Sequence, residues 1–189
     1  MKYFDLAKKF VDREFTRSGR APHELPHFDR TVYWVKILKP DADEAMLIAA
    51  YAHDIERSFR DKTDEELKHL SFKDPFFLKY HAEKGAEIIG DFLFQNEAPQ
   101  ELIDRVKILV STHEVGGDDD QNILQSADTI SFLEDQDKVD RFIARMGSQG
   151  KNIIQEKFKW MYERAQLPKA KEIVKPFYDE AIRKLEQAK

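Results

Sequence analysis

The chain has 189 residues, 41% hydrophobic and 12% aromatic with 14 Phe, and a formal charge of −5. It is long enough for one domain with a substantial core, is not disordered overall, and has no broad attraction for nucleic acid polymers or anionic membranes. The absence of cysteine excludes disulfides, thiolate nucleophiles, iron–sulfur clusters and zinc fingers.

Met1-Lys2-Tyr3-Phe4-Asp5 carries an early acid and no continuous apolar core, so no signal peptide is expected. No stretch is apolar and long enough to span a bilayer, and the expectation is a soluble, cytoplasmic protein. Helical periodicity then runs from end to end. Phe4, Ala7, Val11 and Phe15 form the stripe of a first helix that stops near Ser18-Gly19. A loop with Pro22 follows, and Pro26 is expected to open a second helix that runs to about Lys39 and stops at Pro40. Asp41 or Asp43 can cap a third, whose run Ala45–Ala52 is apolar on every side and belongs at the centre of a bundle.

Thr63-x-x-Glu66 reads as a capping box. Pro75 opens a helix through Phe92, Pro99 another through about His113, and the 116–120 segment is a turn. Helices follow over about 121–134, 137–146, 150–165 and 169–188, the last an exposed, Lys- and Glu-rich cover. The expected architecture is all-α.

Six polar residues fall where these patterns point inward. His53-Asp54 ends the apolar run, Asp128 lies between Leu124 and Phe132, and His81 lies between Phe77 and Ile88. His113 follows Val106, Leu109 and Val110, and His27 shares a side with Trp34 and Val35. Singly, such a histidine is usually a satisfied core residue. Together, four of the six histidines and two acids turn inward from five successive long helices. A buried carboxylate costs several kcal/mol unless it is paired or bound to metal. Bundle cores assemble metal sites from such side chains, and imidazole with carboxylate suits Mn, Fe, Zn, Co or Ni. One or two divalent transition-metal ions are therefore expected.

The order His27, His53-Asp54, His81, His113, Asp128 resembles the signature of the HD superfamily, helical metal-dependent enzymes named for the His-Asp pair. His27-x-x-Arg30, the Ala-rich approach to His53-Asp54, Gly85-Ala86 after His81, and Ala127-Asp128 fit the same pattern. The resemblance implies an HD-domain-like helical bundle, a single domain over 1–189, with the metal-site core in 20–135 and C-terminal helices 136–189 packing on it. It implies that His27, His53, Asp54 and Asp128 hold a first ion, and that His81 and His113 serve a second with Asp54 bridging.

Three cations recur one turn after a ligand: Arg30 after His27, Arg57 after Asp54, Lys84 after His81. That spacing puts them on neighbouring faces, so all three are expected to line the pocket and hold substrate, Arg30 and Arg57 as the preferred anion-binding pair. The competing reading pairs Arg57 and Lys84 with Glu56 and Glu83. Lys138, Arg141, Arg145 and Arg164 lie on later helices able to close over the pocket, and Phe158 and Trp160 are expected to serve as packing. Glu56, about 200° beyond Asp54 on an ideal helix, should point away unless the helix ends there. Asp118-Asp119-Asp120 lacks the ligand pattern of a calcium loop and reads as a turn and cap.

The leading functional expectation is a metal-dependent phosphohydrolase acting on a small phosphorylated metabolite or nucleotide, with Asp54 as catalytic residue. By the same resemblance, an alternative is a di-iron oxygenase on a small anionic substrate. A third is a non-catalytic module that binds metal or ligand.

Overall fold

A computed structural model describes residues 1–60, 71–145, 147 and 150–188. The expected capping box at Thr63 and Glu66 lies outside the described residues. The protein is an all-α bundle with no strand among the described residues. Its helices are α1 (Lys2–Arg17), α2 (Ala21–Leu38), α3 (Glu44–Ala52), the short α4 (Glu56–Phe59), α5 (Pro75–Gln95) and α6 (Gln100–Thr112). After these come α7 (Asp119–Glu134), α8 (Gln136–Ala144), α9 (Lys151–Arg164) and α10 (Pro168–Gln187).

Two helices are sunk in the bundle. Every residue from Ala45 to Ala52 in α3 is buried, and α3 packs against α1, α2, α6 and α7. Asp43 caps it, accepting from the Met46 amide at 2.9 Å. In α7 the run Leu124–Leu133 is buried throughout although it includes Gln, Ser, Asp and Thr, so its polar groups must find partners inside. Asp118 and Gln121 close a capping box at its start. Gly116 reaches that cap with φ +74°, a backbone region that glycine enters without steric cost.

The second helix differs from expectation. It begins at Ala21, with Pro22 in its first turn and Pro26 inside it. Pro22 takes the position where a missing N–H is harmless, and α2 gains an extra turn before His27.

Two apolar clusters share this frame. One surrounds α3 and includes Phe15, Phe28, Ile48 and Ile89. The other lies on the far side of α7, where Phe158, Met161, Val174 and Leu185 meet Ile130 and Leu133. Trp34 and Leu38 of α2 touch both. The last helix therefore buries one face, with Ala170, Val174, Ala181 and Leu185 inward. Among the described residues no helix is long and apolar enough to cross a membrane.

Because the clusters are joined through α2 and α7, they should unfold together. Ile48→Ala should cost about 2–5 kcal/mol and Phe158→Ala about 3–5 kcal/mol, each lowering the midpoint of one shared urea transition followed by circular dichroism. Two separable transitions would contradict the shared core.

Candidate metal centre

The centre forms where α3 breaks. His53 is the C-cap of α3, and a turn carries the chain through Asp54 and Ile55 into α4. The last carbonyls of a helix lack intrahelical partners. His53 Nδ1 lies 3.0 Å from one of them, Ala50 O. His113, the C-cap of α6, repeats the device with Val110 O at 2.7 Å. A carbonyl only accepts, so both rings carry a proton on Nδ1 and aim Nε2 inward. Both Nε2 atoms are buried without a hydrogen-bond partner.

The other two rings are tied the same way. His27 Nδ1 meets Ser131 Oγ at 2.9 Å, and Ser131 donates onward to Asp128 O at 3.0 Å. His81 Nδ1 meets Glu56 Oε2 at 2.7 Å. Their Nε2 atoms face carboxylates: His27 to Asp128 Oδ1 at 3.1 Å, His81 to Asp54 Oδ1 at 2.8 Å. Asp128 Oδ1 also lies 3.5 Å from His53 Nε2, and Asp54 Oδ2 lies 3.6 Å from it.

An imidazole lone pair opposite a carboxylate oxygen is repulsive unless a proton or a cation lies between them. Each outer tether is the support that metal-bound histidines use. The atoms form two triads, His27–His53–Asp54 and Asp54–His81–His113, with ligand atoms within 4.8 Å of one another. Asp54 belongs to both. The orphaned nitrogens, the fixed tautomers and the N/O donor set fit a divalent transition-metal ion. All six predicted ligands, His27, His53, Asp54, His81, His113 and Asp128, are buried and meet here.

Approach of α5 is what seats His81. Gly85, one turn later, lies where an added Cβ would sit 3.4 Å from His53 O and 3.5 Å from a Val110 methyl. The two helices are therefore already at contact distance.

Charge is compensated at close range. Arg57 Nε sits 3.0 Å from Asp54 Oδ1. Arg164, from α9, bonds to Asp128 and Glu114 and reaches Thr129 Oγ1 at 3.0 Å. Burial alone would raise the Asp128 carboxyl. Arg164 and His53 outweigh it and hold Asp128 well below the usual carboxylate range. Asp54 is likewise held low, with Arg57 and His53 overriding burial. Burial pushes the His113 imidazole down to about 4, which keeps it neutral and able to ligate near pH 7.

Of the three expected substrate cations, Arg57 alone lines the cavity over the ligands. Lys84 is an exposed residue of α5, paired with Glu87 at 2.9 Å. Arg30 is held by a two-point pair with Glu134, 2.9 and 2.6 Å, lies over the Tyr33 ring, and lines a separate pocket of about 290 Å³ that His27 also borders. In both cases another acid, Glu134 or Glu87, captures the side chain, whereas Arg57 pairs with the ligand Asp54 itself. Glu56 is corrected in the opposite sense. Because the helix ends at Ala52, Glu56 turns back inward, is 2% exposed, and braces both His81 and Arg60. The C-terminal helices bring Lys138 and Arg164 to the same cavity, as their place on helices able to close over it allowed, and add Phe142, Lys157 and Met161, which the sequence pattern does not single out.

His53→Ala and Asp54→Ala should each lose stoichiometric metal by elemental analysis while keeping helical circular dichroism. Glu56→Ala should retain the ligands but weaken metal affinity about 10–100-fold, and Lys84→Ala should leave it unchanged. Full occupancy in both ligand variants would contradict the assignment.

The comparison with curated proteins and that with solved structures give no match. One family covers residues 5–176, nearly the whole chain. The chain belongs to that family, described as a domain of unknown function (DUF4202).

Proposed function

We propose that the protein is a metal-dependent phosphohydrolase acting on a small phosphorylated molecule, an HD-type enzyme in the sense of the sequence resemblance. The observation that carries this reading is the charge count around the ligands. With the imidazoles neutral, as ligands to a metal must be, and Lys157 protonated, Asp54, Asp128, Glu56 and Glu114 are balanced by Arg57, Arg60, Arg164 and Lys157. With a divalent ion held by His27, His53, Asp54 and Asp128, or a pair using His81 and His113 as well, the buried site becomes net positive and favours an anion.

A bound ion supplies Lewis acidity there, acidifying water toward neutrality and withdrawing charge from a phosphoryl oxygen. The remaining work falls to side chains. Asp54 orients the water through its second oxygen, and Arg57 holds Asp54 and offers its remaining N–H groups to phosphate. Phe132, Phe142 and Met161 line a cavity of about 40 Å³ over the ligands, room for little besides water and a phosphoryl group. Their apolar surfaces restrict bulk solvent.

Lys157 supplies the proton. Its ammonium makes no ion pair or hydrogen bond among the described residues and lies 4.5 Å from the Trp160 ring centroid. Burial, only partly offset by Glu114, acts with Arg164 and Arg57 to push it down to about 7. A lysine in that range can protonate a leaving alkoxide at Nζ near neutral pH.

The test is phosphate release from a panel of phosphomonoesters, with manganese, under nitrogen. Asp54→Ala should abolish it. Lys157→Ala should lower kcat about 10²–10⁴-fold at unchanged metal content. Because the protonated lysine is the active form, kcat should fall as pH rises above about 7 and lose that dependence in Lys157→Ala. The shared position of Asp54 in two triads also favours a second reading, a di-iron oxygenase on a small anion. Oxygen uptake and a mixed-valent iron EPR signal, with no phosphate release, would select it.

A further inference from the structure

We propose that a cationic chamber beside the metal centre binds a second anionic group of the substrate, so that the preferred substrates are small molecules with two or more phosphates; this rests on the phosphohydrolase reading. The chamber has a volume of about 470 Å³, and its described lining carries Arg20, Arg57, Arg60, Lys138, Arg141 and Arg145 against one carboxylate, Glu24. In a chain of net charge −5, such a grouping runs against the overall balance.

Where the partners of these cations are seen, they are shared or lie outside the chamber. Arg57, Arg60 and Arg141 have Asp54, Glu56 and Asp135 behind them. Glu24 must serve both Lys138, at 3.2 Å, and Arg57, at 4.0 Å. Arg20 makes no ion pair among the described residues, and its Nη1 donates only to the Arg57 carbonyl. Burial and repulsion from Arg60 and Arg57 hold its guanidinium below the ordinary value, as an excess of positive charge requires.

Position ties the chamber to the reaction. Arg57, Lys138 and Phe142 border both it and the small cavity over the ligands. That small cavity holds little beyond the scissile phosphoryl group, so the rest of the substrate must extend into a neighbouring space. A chamber of this volume falls in the small-ligand range of roughly 300–1,000 Å³. Planar guanidiniums on several walls suit phosphate, which each can grip at two points. A nucleic acid polymer is disfavoured by the chain's net negative charge.

Calorimetric titration of the full chain with inorganic pyrophosphate tests this. Wild type and His53→Ala should both bind it, since the chamber's lining does not include His53. Arg20→Ala and Arg141→Glu should each weaken binding at least tenfold, and Lys84→Ala should not. Arg141 is a partly exposed residue of α8, so its variant remains informative if Arg20→Ala fails to fold. Loss of binding in His53→Ala with retention in the two arginine variants would overturn the proposal while leaving the metal centre intact. Tighter binding of a single-stranded oligonucleotide than of pyrophosphate, lost in the same arginine variants, would overturn the small-molecule assignment.

Discussion

Four imidazole rings are each tied by Nδ1 to an acceptor other than the candidate ligands, and that restraint governs everything they enclose. Rotation of any ring would break its tether, so the Nε2 atoms stay aimed at Asp54 and Asp128. Two tethers are carbonyls at helix ends, Ala50 O and Val110 O, groups that every helix must satisfy somehow. The fold thus uses an obligatory feature of helix termination to fix a tautomer. Where the ring lies within a helix, as at His27 and His81, a side chain takes over the duty: Ser131 and Glu56.

Such a cluster is costly in a bundle without ions. Buried charges carry a desolvation penalty of several kcal/mol each, and the two unpartnered nitrogens add to it. The penalty is met by guanidiniums from opposite ends of the chain's order, Arg57 just after the ligand pair and Arg164 on α9. This explains why the C-terminal helices are more than a cover. They close the second apolar cluster with one face and deliver Arg164 and Lys157 to the site with another. The architecture joins stability to the site, because the helix that buries Phe158 and Met161 also carries both cations.

Much of this was legible in the residues, for identifiable reasons. The unbroken apolar stretch of α3 marks a central helix in any packing, and polar residues interrupting such stripes at His53, His81, His113 and Asp128 have no other inexpensive location. What periodicity could not convey was the break after Ala52. An ideal helix sends Glu56 away from Asp54, whereas the turn at 53–55 returns it to brace His81. Arg30 and Lys84 illustrate the complementary difficulty: each carries the right charge one turn from a ligand, but Glu134 and Glu87 lie nearer. Lys157 was hidden because nothing in its local sequence, a charged stretch around Phe158 and Trp160, separates a site lysine from a solvated one. Only the docking of α9 on α7 does so.

The four imidazole nitrogens and two carboxylates are placed to hold a metal ion. Anomalous X-ray diffraction from crystals grown with manganese or iron tests this most directly. A peak bonded to His53 Nε2 and Asp54 is expected, with a second peak, where present, on the His81 and His113 side of the same aspartate. Crystals grown with either metal that show no peak at Asp54, with His53 and His113 hydrogen-bonded to water instead, would contradict it.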